Sequence, residues 1–283
     1  MIPSPTAVQP FDLHPTAGAL GAEITGVDLA AELPESTLTS LRQALAEYQV
    51  IVFRDQPLTP EQQRRLATYF GPLQAHPAYP TPPGVPEVSI LEHTAEKPSL
   101  IEAWHTDMTF MQQPPLGSIL QGCILPARGG DTLWASQFAA YEALSAPLRS
   151  LLDGLRAEHD FSFGFKESLA LPGGRERLAK AVADNPPVTH PVVRTHPETG
   201  RKALFVNPLF TTRILGLTRP ESDALLAFLF RHAIQDEFTY RLRWAPHTVA
   251  FWDNRSTMHK PVNDHGLQHR RMQRVVVGGD RPR

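Results

Sequence analysis

Trp104-His105-Thr106-Asp107 sets a histidine and an aspartate two residues apart. On an extended segment, side chains at that spacing share one face, so both can hold adjacent corners of one metal ion. Such a triplet arises by chance in many proteins, and the chain offers a rival in His196-Pro197-Glu198. The rival falls within Thr195–Gly200, which reads as a hairpin tip, and is expected in a solvated turn. A third donor stands far along the chain at His259, shortly after Trp252-Asp253-Asn254-Arg255. Two histidines and one carboxylate leave half of an octahedral site open, the arrangement by which iron(II) holds a cosubstrate and dioxygen together. Zinc asks for tetrahedral closure instead. Read alone, His259 serves equally well as a hydrogen-bonded core or loop histidine.

Eleven residues beyond His259 begins Arg270-Arg271-Met272-Gln273-Arg274, followed by Val275-Val276-Val277 with strong β propensity. Strand alternation puts Arg270, Met272 and Arg274 on one face and Arg271 and Gln273 on the other, so two guanidinium groups can enter one cavity. Each offers a planar fork that matches a carboxylate or sulfonate, and two anions fit such a pair. The alternative is an exposed basic edge strand that deters aggregation.

These residues need a scaffold. Leu38, Leu41, Leu45 and Tyr48 recur at helical spacing, and the apolar run Val50-Ile51-Val52-Phe53 reads as a buried strand. Thr59-Pro60-Glu61-Gln62 and Thr218-Arg219-Pro220-Glu221 have the form of capping boxes that open helices, the first closed by Gly71. Short β-rich runs fill the rest: Val88–Leu91, Ser118–Leu125, Thr132–Ala135, Val192–Arg194, Ala203–Val206, Phe238–Trp244, Val249–Trp252 and Met272–Val277. Many strands at short spacing without βαβ alternation favour a mainly β fold with flanking helices, a double-sheet barrel or jelly roll. No linker or repeat divides the chain, so residues 1–283 are expected to form one domain.

Composition narrows the partners. Of 283 residues, 41% are hydrophobic and 20% charged, a balance that can bury a core. A net charge of -2 without basic runs gives no reason to bind nucleic acid or a membrane surface, so a small molecule is the expected partner. The lone Cys123, the absence of a signal-like amino terminus and the lack of an apolar span point to the cytoplasm. Nothing in the sequence opposes a homo-oligomer.

W-H-T-D at Trp104–Asp107, G-G-D-T-L-W at Gly129–Trp134, W-D-N-R at Trp252–Arg255, His259 and the Arg270/Arg274 pair together resemble the taurine dioxygenase family. The likeness also runs through Gly21–Ile24, Val52–Gln56, Leu155–Phe161, His190–Pro197, Ala203–Asn207 and Phe210–Ile214, nearly the whole chain. It implies a double-stranded β-helix (jelly-roll) core with Fe(II) bound by His105, Asp107 and His259. It implies 2-oxoglutarate and O2 as cosubstrates, with Arg270 on the distal carboxylate and Thr132 supplying a hydroxyl. The substrate pocket maps onto His76, Tyr79, Phe165 and Phe210, with Arg274 as sulfonate anchor. The implied reaction hydroxylates a small sulfonate such as taurine next to sulfur, and the product breaks down to an aldehyde and sulfite.

One position departs from the family. Ile101 stands where taurine dioxygenases carry an asparagine that helps hold the substrate amine. An apolar side chain offers no hydrogen bond there, which raises alkanesulfonates, alkyl sulfates or aryloxyalkanoates as substrates. Lys260-Pro261 also differs from the usual residues after the distal histidine. A reading from another class is a jelly-roll protein that binds an anion or metal without turnover.

Overall fold

Val50–Phe53, apolar at every position, forms a strand that is buried on both faces. Val50 and Val52 point to one side with Ala250 and Trp252, whereas Ile51 and Phe53 point to the other with Val249 and Phe251. Two-sided burial explains why this segment reads as a continuous apolar run rather than as an alternating one. The computed structural model describes residues 10–75, 79–96 and 101–283.

This strand belongs to a seven-stranded sheet. Its order runs Asp12–Pro15, Ala22–Thr25, Val50–Phe53, Val249–Asp253, Gly117–Ile124, Arg270–Val277 and Val88–His93. A three-stranded sheet of Thr239–Leu242, Thr132–Ser136 and Thr257–Pro261 faces it. Between the two, Trp134, Tyr240 and Leu242 pack on Val52, Leu120, Trp252 and Met272. The architecture is therefore mainly β with flanking helices, a double-stranded β-helix (jelly roll) whose sheets do not close into a barrel.

Helices Glu35–Tyr48 and Pro60–Thr68 cover the outer face of the large sheet through Leu41, Leu45, Leu66 and Ala67. The second starts at the expected capping box, in which Gln62 and Thr59 exchange hydrogen bonds of 2.8 and 3.2 Å, and it ends at Thr68, ahead of Gly71. The box at Thr218 likewise opens Arg219–His232, with the Thr218 amide donating to Glu221. Strand boundaries shift by a few residues: Asp236–Phe238 is a 3-10 turn, so that strand runs Thr239–Leu242. Between residues 137 and 184 lie five short helices that the sequence reading did not mark. Gly174–Asp184 is the longest of them, and Leu178 and Ala181 bury against Phe161 and Phe210.

His196-Pro197-Glu198 corrects an expectation. The hairpin exists, with Val193–Thr195 paired to Lys202–Leu204, and residues 197–200 at its tip are exposed as expected, but His196 is not part of that solvated turn. The hairpin folds back onto the end of the Val249–Asp253 strand, and His196 is only 1% exposed. The Thr199 amide donates to His196 Nδ1, so Nε2 carries the proton and donates to Asp253 Oδ2 at 3.0 Å. Arg255 adds Nε and Nη2 to the same carboxylate and reaches Glu198 with Nη1 at 2.8 Å. Burial alone would raise the Asp253 pKa, but the Arg255 guanidinium and the His196 hydrogen bond hold the carboxyl well below the usual carboxylate range. A buried charge attracts donors from a distant hairpin, and spacing within the hairpin carries no trace of that.

Asp253 ends the strand that leads into the His259 segment, so this network is expected to be strongly coupled to folding. Arg255→Ala strands a buried carboxylate and should lower the unfolding free energy by about 3–5 kcal/mol, read by urea denaturation. Because the folded pKa is depressed, the stabilisation is present above the unfolded carboxylate value of about 4 and is lost as pH falls below it. An unchanged urea midpoint in Arg255→Ala would contradict this.

Candidate active site

His105 lies outside the regular sheets yet pairs with His259 by a two-residue antiparallel bridge. The His105 amide donates to His259 O at 2.9 Å, and the His259 amide returns a bond to His105 O at 2.7 Å. Thr106 Oγ1 adds a bond to Thr257 O at 2.9 Å. Paired residues project to the same side, so the two imidazoles come together with ring centroids 4.1 Å apart.

Asp107 is held by different means. Asn254 accepts from the Asp107 amide at 2.8 Å and donates to the Asp107 carbonyl at 3.0 Å, gripping the backbone of that one residue from both sides. The next residue, Met108, adopts a left-handed φ of 51° while buried, a conformation that persists where neighbours fix the chain this firmly. Ser118 Oγ donates to Asp107 Oδ2 at 3.1 Å. Oδ1 then stands 3.7 Å from His105 Nε2 and 3.8 Å from His259 Nε2.

One ligand atom from each of His105, Asp107 and His259 lies within 4.8 Å of the others, all three residues being buried. Burial lowers the His105 pKa despite Asp107 beside it, and burial with His105 as neighbour pushes His259 down to about 3. Both rings are therefore neutral at pH 7, and their approaches to Asp107 are not ion pairs. Neutral imidazole is the form that binds metal. His105 Nδ1 donates to Ala103 O at 2.9 Å, which leaves the Nε2 lone pair aimed at the cluster. The donor set fits a divalent ion with open coordination positions.

A cavity of about 1040 Å³ opens over this cluster. Of the residues singled out in the sequence, His105, Asp107, His259, Thr132, Arg270, Arg274, Tyr79, Ile101, Phe165 and Phe210 all line it. His76 lies outside the described residues.

Arg270 and Arg274 are each 5% exposed on a strand flanked by two others, so the segment is no exposed basic edge. Both point into the cavity with Met272 packed between the sheets, as alternation requires. Arg270 crosses the Gly129-Gly130 turn. A Cβ on Gly130 would come 3.3 Å from Arg270 Nε, and both glycines have φ 74°, so the close approach and the turn both demand glycine. Burial lowers the Arg270 pKa to about 10, with Asp131 acting in the opposite sense, and Nε has no hydrogen-bond partner. Thr132 Oγ1 accepts from Trp244 Nε1 at 3.0 Å, which leaves its proton free to be donated. Arg274 Nη1 sits 3.2 Å from Asp107 Oδ1, while its Nε and Nη2 are buried without partners. Its guanidinium carbon lies 5.3 Å from the Tyr79 ring. Unpaired buried guanidinium nitrogens are costly, and an anion is the natural complement.

Phe165 and Phe210 face each other with ring centroids 6.2 Å apart and, with Ile101, give the cavity an apolar wall. Ser118, Asn254 and Trp244 were missed by sequence reasoning. Asn254 sat within the W-D-N-R stretch as a usable signal, whereas a serine in a strand announces nothing.

The family described as "Taurine catabolism dioxygenase TauD, TfdA family" matches residues 11–276. An alpha-ketoglutarate-dependent sulfate ester dioxygenase of Pseudomonas putida is 39% identical, over 96% of this chain and 91% of the relative. An alkylsulfatase of Acinetobacter baylyi is 38% identical, over 99% and 88%. A crystal structure of a taurine dioxygenase from Burkholderia xenovorans superposes with TM-score 0.83 at 38% identity, covering 96% of this chain and 91% of that one. With a family match across nearly its whole length, the chain belongs to the TauD/TfdA family of 2-oxoglutarate (alpha-ketoglutarate)-dependent dioxygenases.

Proposed function

We propose that the chain works as one domain that oxidises a sulfated or sulfonated alkyl substrate at the carbon next to the sulfo group, with alkyl sulfate esters first. The observation that carries this reading is Arg274, buried with two unpartnered nitrogens beside a wall of Ile101, Phe165 and Phe210. A fork of donors next to an apolar wall suits an anionic head with an uncharged tail. An ammonium such as that of taurine would meet Ile101 rather than an amide, at a cost of about 1–3 kcal/mol. The Pseudomonas and Acinetobacter relatives, named for sulfate esters and alkyl sulfates, support the same choice. A taurine-like sulfonate is the second reading, favoured by Tyr79 beside Arg274.

In this reading His105, Asp107 and His259 hold Fe(II), which when bound supplies the activation of O2 that couples oxidative decarboxylation of 2-oxoglutarate to hydroxylation. Arg270 takes the distal carboxylate and Thr132 donates its hydroxyl proton to the cosubstrate. Ser118 holds Asp107 Oδ2, and Oδ1, which Arg274 Nη1 also reaches, is the oxygen turned toward the two imidazoles. Arg274 fixes the sulfo head and thereby places the adjacent carbon over the centre, while the phenylalanine wall excludes water. The sum is alkyl sulfate, 2-oxoglutarate and O2 giving succinate, CO2 and a hydroxylated ester. That ester collapses by C–O cleavage to an aldehyde and hydrogen sulfate. A sulfonate follows the same course with C–S cleavage and releases sulfite.

A panel of alkyl sulfates, alkanesulfonates and taurine should give sulfate and succinate in equal amounts from the alkyl sulfates, with kcat/KM for taurine lower by about tenfold or more. Ile101→Asn should narrow that gap. Release of neither sulfate nor sulfite across the panel would sink the proposal.

The two arginines should separate in single variants. Arg274→Ala is expected to raise the KM for the alkyl sulfate about a hundredfold with little change for 2-oxoglutarate, and Arg270→Ala to do the reverse. Exchanged phenotypes in steady-state kinetics would overturn the allocation.

A further inference from the structure

Among the titratable side chains that line the cavity without a role so far is a histidine. His93 ends the Val88–His93 strand directly opposite Arg270 in the antiparallel register, so the two side chains stand side by side on the cavity wall. Residues so paired have Cβ atoms about 4.5–5.5 Å apart, within reach of a common ligand. Nδ1 of His93 is buried without a hydrogen-bond partner, as is Nε of Arg270. His265, from the segment that precedes the Arg270 strand, is near enough to act on His93 through space but does not line the cavity.

The nearby acids are engaged elsewhere. Asp131 accepts from Arg241 Nε at 2.7 Å, and Asp264 accepts from the Gly130 amide at 2.8 Å. Glu92, on the opposite face of the His93 strand, pairs with His269 at 2.8 Å. Glu96 accepts from Thr94, and Glu102 lies 3.4 Å from Asn263 Nδ2. This end of the cavity thus sets one guanidinium and one imidazole side by side, each with an unpartnered nitrogen, which matches a carboxylate.

We propose that His93 is a second contact, beside Arg270, for the distal carboxylate of 2-oxoglutarate, and that it takes up a proton when the cosubstrate binds. The inference rests on the assignment of Arg270 to that carboxylate. In the free protein, burial and then Arg270 and His265 push the His93 pKa down to about 4, so the ring is neutral at pH 7. A bound carboxylate opposes Arg270 and favours the imidazolium. Linkage then gives the sign: affinity for 2-oxoglutarate rises as pH falls through the bound-state pKa of His93 and levels off below the free-state value.

The test is anaerobic calorimetric titration of 2-oxoglutarate into the Mn(II)-loaded protein, in buffers of different ionisation enthalpy, from about pH 8 to about pH 6. The wild type should take up protons toward the acid end while its affinity rises. His93→Gln, which keeps an amide donor but cannot titrate, should lose the proton uptake and the pH slope. His93→Leu should bind 2-oxoglutarate about tenfold more weakly, with the KM for the sulfur substrate unchanged. Undiminished proton uptake in His93→Gln, or wild-type affinity in His93→Leu, would overturn the inference. Arg270→Ala separates the two levels. If it alone weakens binding, His93 has no such role, and if it binds as the wild type does, the cosubstrate assignment itself falls.

Discussion

The reciprocal backbone bridge between His105 and His259 is the constraint on which the rest depends. It joins a loop from the middle of the chain to a strand 154 residues later, and it fixes two imidazoles side by side without using either ring. Asp107 enters the same cluster through Asn254 and Ser118, which spend their hydrogen bonds on its backbone and on one carboxylate oxygen. The donors stay together because the peptide groups beside them are pinned. That is preorganisation in the sense that matters for a metal site, where the geometry exists before the ion arrives.

Burial gives the centre its electrostatic character. The same dry surroundings that keep His105 and His259 neutral also make Arg270 and Arg274 poor places to leave a charge unpaired. In the proposed reading the cavity takes anions at two points beside an apolar wall, with the arginines supplied by the strand Arg270–Val277 and the wall by Phe165 and Phe210. Elsewhere the fold handles buried charge by supplying partners, as around Asp253, where Arg255 and His196 complete the carboxylate.

Much of this was legible in the sequence, for reasons that differ by residue. Arg270 and Arg274 share a face because of strand alternation, which needs only the period of an extended chain, whereas Asp107 lies in a turn just after the bridge residue His105 and reaches the cluster through Asn254 and Ser118. The two capping boxes and the Val50–Phe53 run are likewise local signals. Pairing of His259 with His105 is long-range, and its part in the cluster came from family likeness rather than from periodicity. Asn254, Ser118 and Trp244 act through tertiary register, which no window of sequence contains. His196 was misjudged for the same reason, since the hairpin was visible but not the carboxylate it folds onto. The helices between residues 137 and 184 are short, and their apolar faces are completed by tertiary packing, Ala140 and Leu152 with Leu204, Leu226 and Leu229, and Leu178 and Ala181 with Phe161 and Phe210.

The central claim is that His105, Asp107 and His259 bind one divalent ion and leave open positions facing the arginine pair. Crystals grown anaerobically with Mn(II) and 2-oxoglutarate test it most directly. The account predicts one anomalous peak within bonding distance of all three side chains, with the cosubstrate reaching from that ion toward Arg270. A peak lacking any one of the three ligands, or a cosubstrate oriented toward Arg274, would contradict it.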